Sequence, residues 1–269
     1  MRQKDTGRVL RTETSFSITP IVDKELLFTN NTAVLLVSNI SDREIARRDY
    51  EKCLREGLGR PGIHPDQVEG KYAAFGMPGG GVSIERADTR ESAARTEMKA
   101  ETGLSVLDMK YLFTEGKTIL RNSRTQKVLK QFFHKVGEKP SIRVDTKKHE
   151  VIENPVHIFL AQIEWENSPL RQVMLEMRDK FLKEKEWLTK SYIKERGVSI
   201  FFDELTQKQV VSLDIEEIDE IDGIAVVPLE RIQQLQDELR PLPREKRVIY
   251  LSHTIWINRA ITQIEMQGI

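Results

Sequence analysis

The chain predicts a mixed α/β fold, and three observations carry that expectation. Short apolar runs of strand length, at 33–37, 156–163 and 224–229, read as buried strands. Between them lie segments of helical periodicity with start and stop signals. A run of glycines, Gly79 to Gly81, joins one apolar segment to one of those helices.

Taken in order, residues 1–17 are polar with poor periodicity and read as a loose arm. Residues 18–28 read as a short strand pair, and 33–37 as a buried strand. Ser41 and Glu44 form a capping box for a helix running to about Gly57. Its apolar set, Ile45, Tyr50, Cys53 and Leu54, is thin, so a surface helix is expected. A Gly/Pro-rich loop over 59–65 precedes a strand at 71–75. Residues 106–138 read as strand, turn and strand, with the turn near Arg121 to Arg124 and alternation from Val128 to Val136.

Ser168 and Pro169 suit an N-cap and a first helical position, opening a long amphipathic helix to about Arg196. This makes 166–197 an insertion. Its apolar positions, Leu170, Met174, Met177, Phe181, Leu188 and Tyr192, either pack on the helix's own domain or form a homodimer contact. A strand at 198–202 follows, then an acidic run, then the strand at 224–229. A helix from Glu230 to Leu239 ends before Pro241 and Pro243. The segment 244–267 reads as a strongly apolar C-terminal helix. With no repeat, low-complexity tract or clean linker, a single domain over 1–269 is expected.

The stretch that carries chemistry is 75–104. Glu97 and Glu101 stand four apart, so they stack on one helical face, and Gly103 beyond them suits a left-handed C-cap. Asp88 and Thr89 suit the N-cap. Two such carboxylates offer hard oxygen ligands to Mg²⁺, which takes one or two protein carboxylates together with substrate phosphates. This stretch resembles the signature of the Nudix hydrolases: glycine, five residues, Glu, seven residues, then Arg-Glu-apolar-any-Glu-Glu-any-Gly-apolar. Glu97, Met98, Glu101, Gly103 and Leu104 fall on signature positions, and Asp88 falls on the first acidic one. Phe75 to Gly80 is similar to the family's aromatic-any-apolar-Pro-Gly-Gly lead-in. The departures are Thr96 in place of Arg, Ala100 in place of the first paired Glu, and a glycine loop one or two residues longer than the pattern.

The resemblance implies a Nudix-like α/β/α sandwich with a mixed β-sheet, elaborated by the helical insertion and the extra C-terminal helix. It implies a Mg²⁺- or Mn²⁺-dependent hydrolase of a nucleoside diphosphate-linked or related pyrophosphate, acting by metal-assisted attack of water. Glu97 and Glu101 are then the catalytic candidates, and Glu97, Glu101 and Asp88 the metal ligands. Gly79, Gly80 and Gly81 are the phosphate-binding candidates, because no side chain obstructs their amides. Ala100 removes one ligand, so the alternative is a nucleotide-binding sensor of the same fold with little or no turnover. Arg95, one position from the missing arginine, is turned about a hundred degrees around the helix and is expected to face elsewhere. A base from outside the signature has eligible acids in Glu150, Glu153, Asp203, Glu204, Glu216 and Glu217. Phe75, Tyr111, Phe132, Phe133 and Trp165 read as core.

Composition excludes other chemistries. Forty-two basic side chains balance forty-two acidic ones, so no nucleic-acid partner and no membrane-surface attraction are expected. Cys53 is the only cysteine, which fits a reducing, cytoplasmic location without disulfides. The five histidines lack zinc-site spacing and read as surface or supporting residues. No serine or cysteine nucleophile and no Walker-type lysine motif occurs. Metal-assisted hydrolysis is the most economical chemistry left.

Overall fold

The computed structural model describes residues 9–27, 30–39, 74–82, 89–124, 128–138, 144–145, 147–172, 174–176, 198–203, 208–213, 221–243 and 249–267, with isolated positions between them. The strands are β1 (Val9–Arg11), β2 (Thr14–Ile18), β3 (Pro20–Ile21), β4 (Ala33–Asn39), β5 (Ala74–Gly76), β6 (Gly79–Gly81), β7 (Val106–Asn122), β8 (Val128–His134), β9 (His149–Glu153), β10 (Val156–Ile163), β11 (Val198–Asp203), β12 (Lys208–Leu213) and β13 (Ile221–Pro228). The helices are α1 (Lys24–Leu27), α2 (Arg90–Thr102), α3 (Leu229–Leu239) and α4 (Leu251–Gln267). One sheet runs β1-β9-β7-β10-β2-β6 with β8 on β7, and the other runs β11-β12-β13-β4-β3 with β5 on β4. β1 and β2 pair parallel with β9 and β10, and every other strand pair is antiparallel.

The continuous apolar runs are explained by burial on two faces. Leu35 and Val37 of β4, Ile224 and Val226 of β13, and Phe159 and Ala161 of β10 pack with Ala94 and Met98 of α2. The intervening residues, Val34, Leu36, Ala225, Val227 and Ile158, join Ile232 and Leu235 of α3 and Trp256 and Ile257 of α4 in a second core. Helices therefore cover both faces, and the layering is the α/β/α sandwich with mixed sheets that the resemblance implies.

Several boundaries differ from the expectation. The N-terminal arm is not loose from residue 9 onward: β2 lies between β10 and β6. Its signal is alternation, with Phe16 and Ile18 toward the α3–α4 side and Ser15 and Ser17 buried on the other. The expected strand pair at 18–28 is instead β3 followed by the single turn α1, because Asp23 caps it: Leu26 N–H donates to the Asp23 carboxylate at 2.9 Å. β12 was not anticipated, and it completes a hairpin with β11. The C-terminal helix begins at Leu251, since Ile249 bridges to Phe75 and so cannot be helical. Tyr111 and Phe133 are 53% and 43% exposed, so they are surface aromatics on the β7–β8 ribbon and not core. The capped helix expected from Ser41 lies mostly outside the described residues, with positions 47, 50, 51, 54 and 55 helical. Residues 169–172 and 174–176 are helical, and the insertion beyond them lies outside the described residues.

Asp23 ties the start of that insertion to the body. Its buried carboxylate also accepts from Trp165 Nε1 at 2.8 Å and from Arg171 Nε at 2.7 Å. Burial opposes the charge, but the Arg171 guanidinium and the Leu26 and Trp165 N–H groups outweigh it and hold Asp23 below its ordinary value of 3.8. Removing Asp23 leaves the buried Trp165 and Leu26 N–H groups without their acceptor and Arg171 with only the exposed Glu25 and Glu166 among the described residues, so Asp23→Ala is expected to lower unfolding free energy by about 1–3 kcal/mol in urea titrations. The folded chain binds this proton more weakly than the unfolded one, so the stabilisation is full above pH 3.8 and fades as acid drives the pH through the folded-state value. Urea midpoints followed across that acid range should fall more steeply for the wild type than for Asp23→Asn.

Candidate functional site

Helix α2 is specified at both ends. Thr89 is its N-cap: Ser92 N–H donates to Thr89 Oγ1 at 3.0 Å, and Thr89 N–H donates to Ser92 Oγ at 2.8 Å. Gly103 closes it at φ 70°, its N–H donating to the Lys99 carbonyl at 2.9 Å. Ala93, Ala94 and Met98 are buried and hold the helix on the sheet. That packing directs Glu97 and Glu101 at the glycine strand β6. Gly79 N–H donates to Glu101 Oε2 at 2.9 Å. Glu97 lies over Gly80, its Cδ only 2.7 Å from where a Cβ on that glycine would stand. Gly79 adopts φ 150°, and a Cβ there would stand 2.2 Å from the Ser15 carbonyl oxygen. At Gly81 no atom elsewhere in the described residues lies within 4 Å of the corresponding position.

The structure thus brings Glu97, Glu101, Gly79 and Gly80 together. It also engages the Gly79 amide with Glu101, where the sequence reading had aimed it at phosphate. Asp88 lies outside the described residues, as do Glu204, Glu216 and Glu217, and nothing is described of the Asp203 side chain. Arg95 faces elsewhere, pairing with Glu91 at 2.9 Å and donating to the Val106 carbonyl at 3.2 Å. Thr96 and Ala100 are exposed. Glu150 is engaged by Arg121 at 2.8 Å on the far ribbon. Two carboxylates of one helical face are a donor set of the hard oxygen kind that Mg²⁺ accepts. Among the described residues no group of three or more His, Cys, Asp or Glu side chains is placed to hold a metal ion.

A second set of polar residues was missed in the sequence. Glu13, just before β2, receives Arg90 at the head of α2 in a two-pronged pair, Nε at 2.7 Å and Nη2 at 3.2 Å. The Glu13 carbonyl accepts from Val82 N–H at 2.9 Å, fixing the exit of the glycine strand. His157 is buried and lies 3.2 Å from Glu13 Oε2 through Nε2, and 2.8 Å from Thr114 Oγ1 through Nδ1. Burial, aided by the nearby Arg90 charge and opposed by Glu13, lowers the His157 pKa. The neutral ring then donates Nε2–H to Glu13 and accepts the Thr114 hydroxyl proton at Nδ1. The Arg90 hydrogen bond holds the Glu13 carboxyl below its usual range. No local motif announces this brace; it exists because β2, β7 and β10 lie side by side.

On the far side of the strand that leads into the glycines, α4 sends His253 against Gly76. Met77 N–H donates to His253 Nδ1 at 2.8 Å. Complete burial, with a smaller contribution from Lys117, pushes this imidazole down to about 3, so it is a neutral acceptor.

No family model and no curated protein matches the chain. Solved structures do. A crystal structure of Shewanella oneidensis NrtR complexed with a 27mer DNA is 12% identical, with TM-score 0.39 over 94% of this chain, which spans 62% of that one. The NUDIX domain of Shewanella oneidensis NrtR complexed with ADP ribose is 12% identical, with TM-score 0.35 over 98% of this chain and 94% of that one. A mutT/nudix family protein from Listeria innocua is 12% identical, with TM-score 0.35 over 97% of this chain and 98% of that one. Superpositions this loose carry no ligand, partner or activity over to this chain. The expectation of no nucleic-acid partner nevertheless does not stand, since one of these chains is itself complexed with DNA. A net charge of zero averages over a whole surface and excludes nothing at any single face. Among the described residues no helix is long and apolar enough to cross a membrane.

The two glycines separate structure from chemistry. Gly79→Ala drives a Cβ into backbone and is expected to lower the thermal midpoint clearly. Gly80→Ala meets only the movable end of Glu97, so it is expected to fold normally and to lose affinity for Mn²⁺. Melting curves and Mn²⁺ titration of the two variants check both outcomes.

Proposed function

We propose that the protein is a Mg²⁺- or Mn²⁺-dependent hydrolase of a nucleoside diphosphate-linked or related pyrophosphate. One observation carries this reading: Glu101 is fixed by the Gly79 amide while Glu97 lies against Gly80, so both acids converge on the strand that follows Met77 and Pro78. The difficulty of the reaction is charge, since a pyrophosphate repels the nucleophile that must reach it. A divalent ion, when bound, neutralises phosphate oxygens and makes bound water more acidic. Glu101 would hold it, with its carboxylate already oriented by an N–H donor. Glu97, partly exposed, would share that role or orient and deprotonate the attacking water. Asp88 remains assigned as an additional ligand by its place in the signature. Gly80 and Gly81 carry no side chain to obstruct a phosphate approaching their amides.

A second reading, a nucleotide-binding sensor of this fold, is favoured by Ala100, which stands exposed where a further carboxylate would add a ligand. Release of phosphate or nucleotide from a panel of dinucleoside and nucleotide-sugar pyrophosphates with Mg²⁺ or Mn²⁺ separates the two. Glu101→Gln is expected to lower turnover about a hundredfold or more, the scale of losing a key electrostatic group. Equal rates in mutant and wild type would end the hydrolytic reading. Absence of turnover combined with thermal protection by one of these compounds would establish the sensor.

A further inference from the structure

The strand beneath α2 carries two hydroxyls that the fold does not use. Ser15 and Ser17 of β2 are 0% exposed, as is Thr19 just beyond the strand, and among the described residues none of the three hydroxyl oxygens has a hydrogen-bond partner. A buried hydroxyl left unpaired is destabilising, and alanine would fit the same space without that cost. Their position is set by register. Ser15 stands directly opposite Gly80 in the β2–β6 ladder and opposite His157 in the β2–β10 ladder, and His157 stands opposite Thr114. Residues opposite one another project to the same face. One polar row therefore crosses the sheet from Thr114 through His157 and Ser15 to Gly80, and Glu97 covers its end. His157 is saturated within that row, by Thr114 at one nitrogen and Glu13 at the other. Ser15 is left facing the end occupied by the carboxylate. Ser17, two residues on, faces the same way and is anchored by its N–H to the Pro78 carbonyl at 2.8 Å, beside the Gly79 amide that holds Glu101.

We infer that Ser15, with Ser17 beside it, supplies the oxygen donors that complete the cation site of Glu97 and Glu101, directly or through one metal-bound water. This rests on the functional reading above and extends it to the residues that finish the site. Serine and threonine hydroxyls serve Mg²⁺ in this way in phosphate-binding loops. The arrangement also accounts for an uncompensated polar stripe in a strand whose opposite face is apolar.

The test is Mn²⁺ titration of the full chain, followed by magnetic resonance of the free ion, with thermal midpoints recorded in chelator. Ser15→Ala is expected to weaken Mn²⁺ binding about tenfold or more, the scale of removing a supporting group at a metal site. Its midpoint in chelator is expected to equal or exceed that of the wild type, and Ser15→Thr should restore binding. If alanine fails to fold, Ser17→Ala is read by the same two measurements. Unchanged Mn²⁺ affinity, with or without a lower midpoint, overturns the proposal and leaves the hydroxyl a structural role. Glu101→Gln keeps the two failures apart. If that variant loses Mn²⁺ while Ser15→Ala and Ser17→Ala retain it, only the hydroxyls are misassigned. If Glu101→Gln binds Mn²⁺ as well as the wild type, the carboxylate site itself is wrong.

Discussion

The hydrogen bond from the Gly79 amide to Glu101 is the constraint on which the site depends. It is a charge-assisted bond in a largely buried place, where such bonds are stronger than on an open surface. It is possible only because two conditions meet. The helix must lie close to the strand, which requires glycine at position 80, where a Cβ would meet Glu97, and Ala94 and Met98 seat α2 on the core beside it. The helix must also be phased correctly, which its two caps ensure. Thr89 sets where α2 begins and Gly103 where it ends, so Glu97 and Glu101 arrive over the strand while Thr96 and Ala100 turn to solvent.

This phasing gives physical meaning to the departures from the family signature. The substituted positions at 96 and 100 are those that the helix presents outward, whereas the retained acids are those that it presents inward. Arg90, at the head of the same helix, makes an ion pair of a different kind. Arg90 does not brace the acids. It clamps Glu13, and through Glu13 it fixes the end of the glycine strand to β2 and to His157. The groove is thus held from its sides by ion pairing and from below by packing.

Much of this was legible in the sequence. Apolar runs located β4, β10 and β13, because strands buried on both faces carry few polar positions. Capping residues located α2 because its end signals are local, and the spacing of its acids told which face they share. What escaped was non-local. β2 looks unstructured by composition, and its role comes from parallel pairing with a strand some 140 residues away, a contact visible in the register of Ser15 with His157. The Glu13, Arg90 and His157 brace shares that cause. The start of α4 was misplaced for a related reason: Ile249 has helical neighbours in sequence but a strand partner, Phe75, in space. Tyr111 and Phe133 were misjudged because aromatic character reports hydrophobicity, not which side of a ribbon is covered.

The clamp of His253 on Met77 joins two segments that lie 176 residues apart in the chain. The lead-in to the glycines is tied by near and far segments alike: β5 pairs with β4, the Pro78 carbonyl accepts Ser17 N–H at 2.8 Å, and His253 accepts the Met77 N–H at 2.8 Å. The acids and the glycines stand far ahead in sequence of the helix that carries this imidazole. The strand therefore gains its full set of bonds only once α4 is in place, with a proton-free imidazole as one of its fastenings.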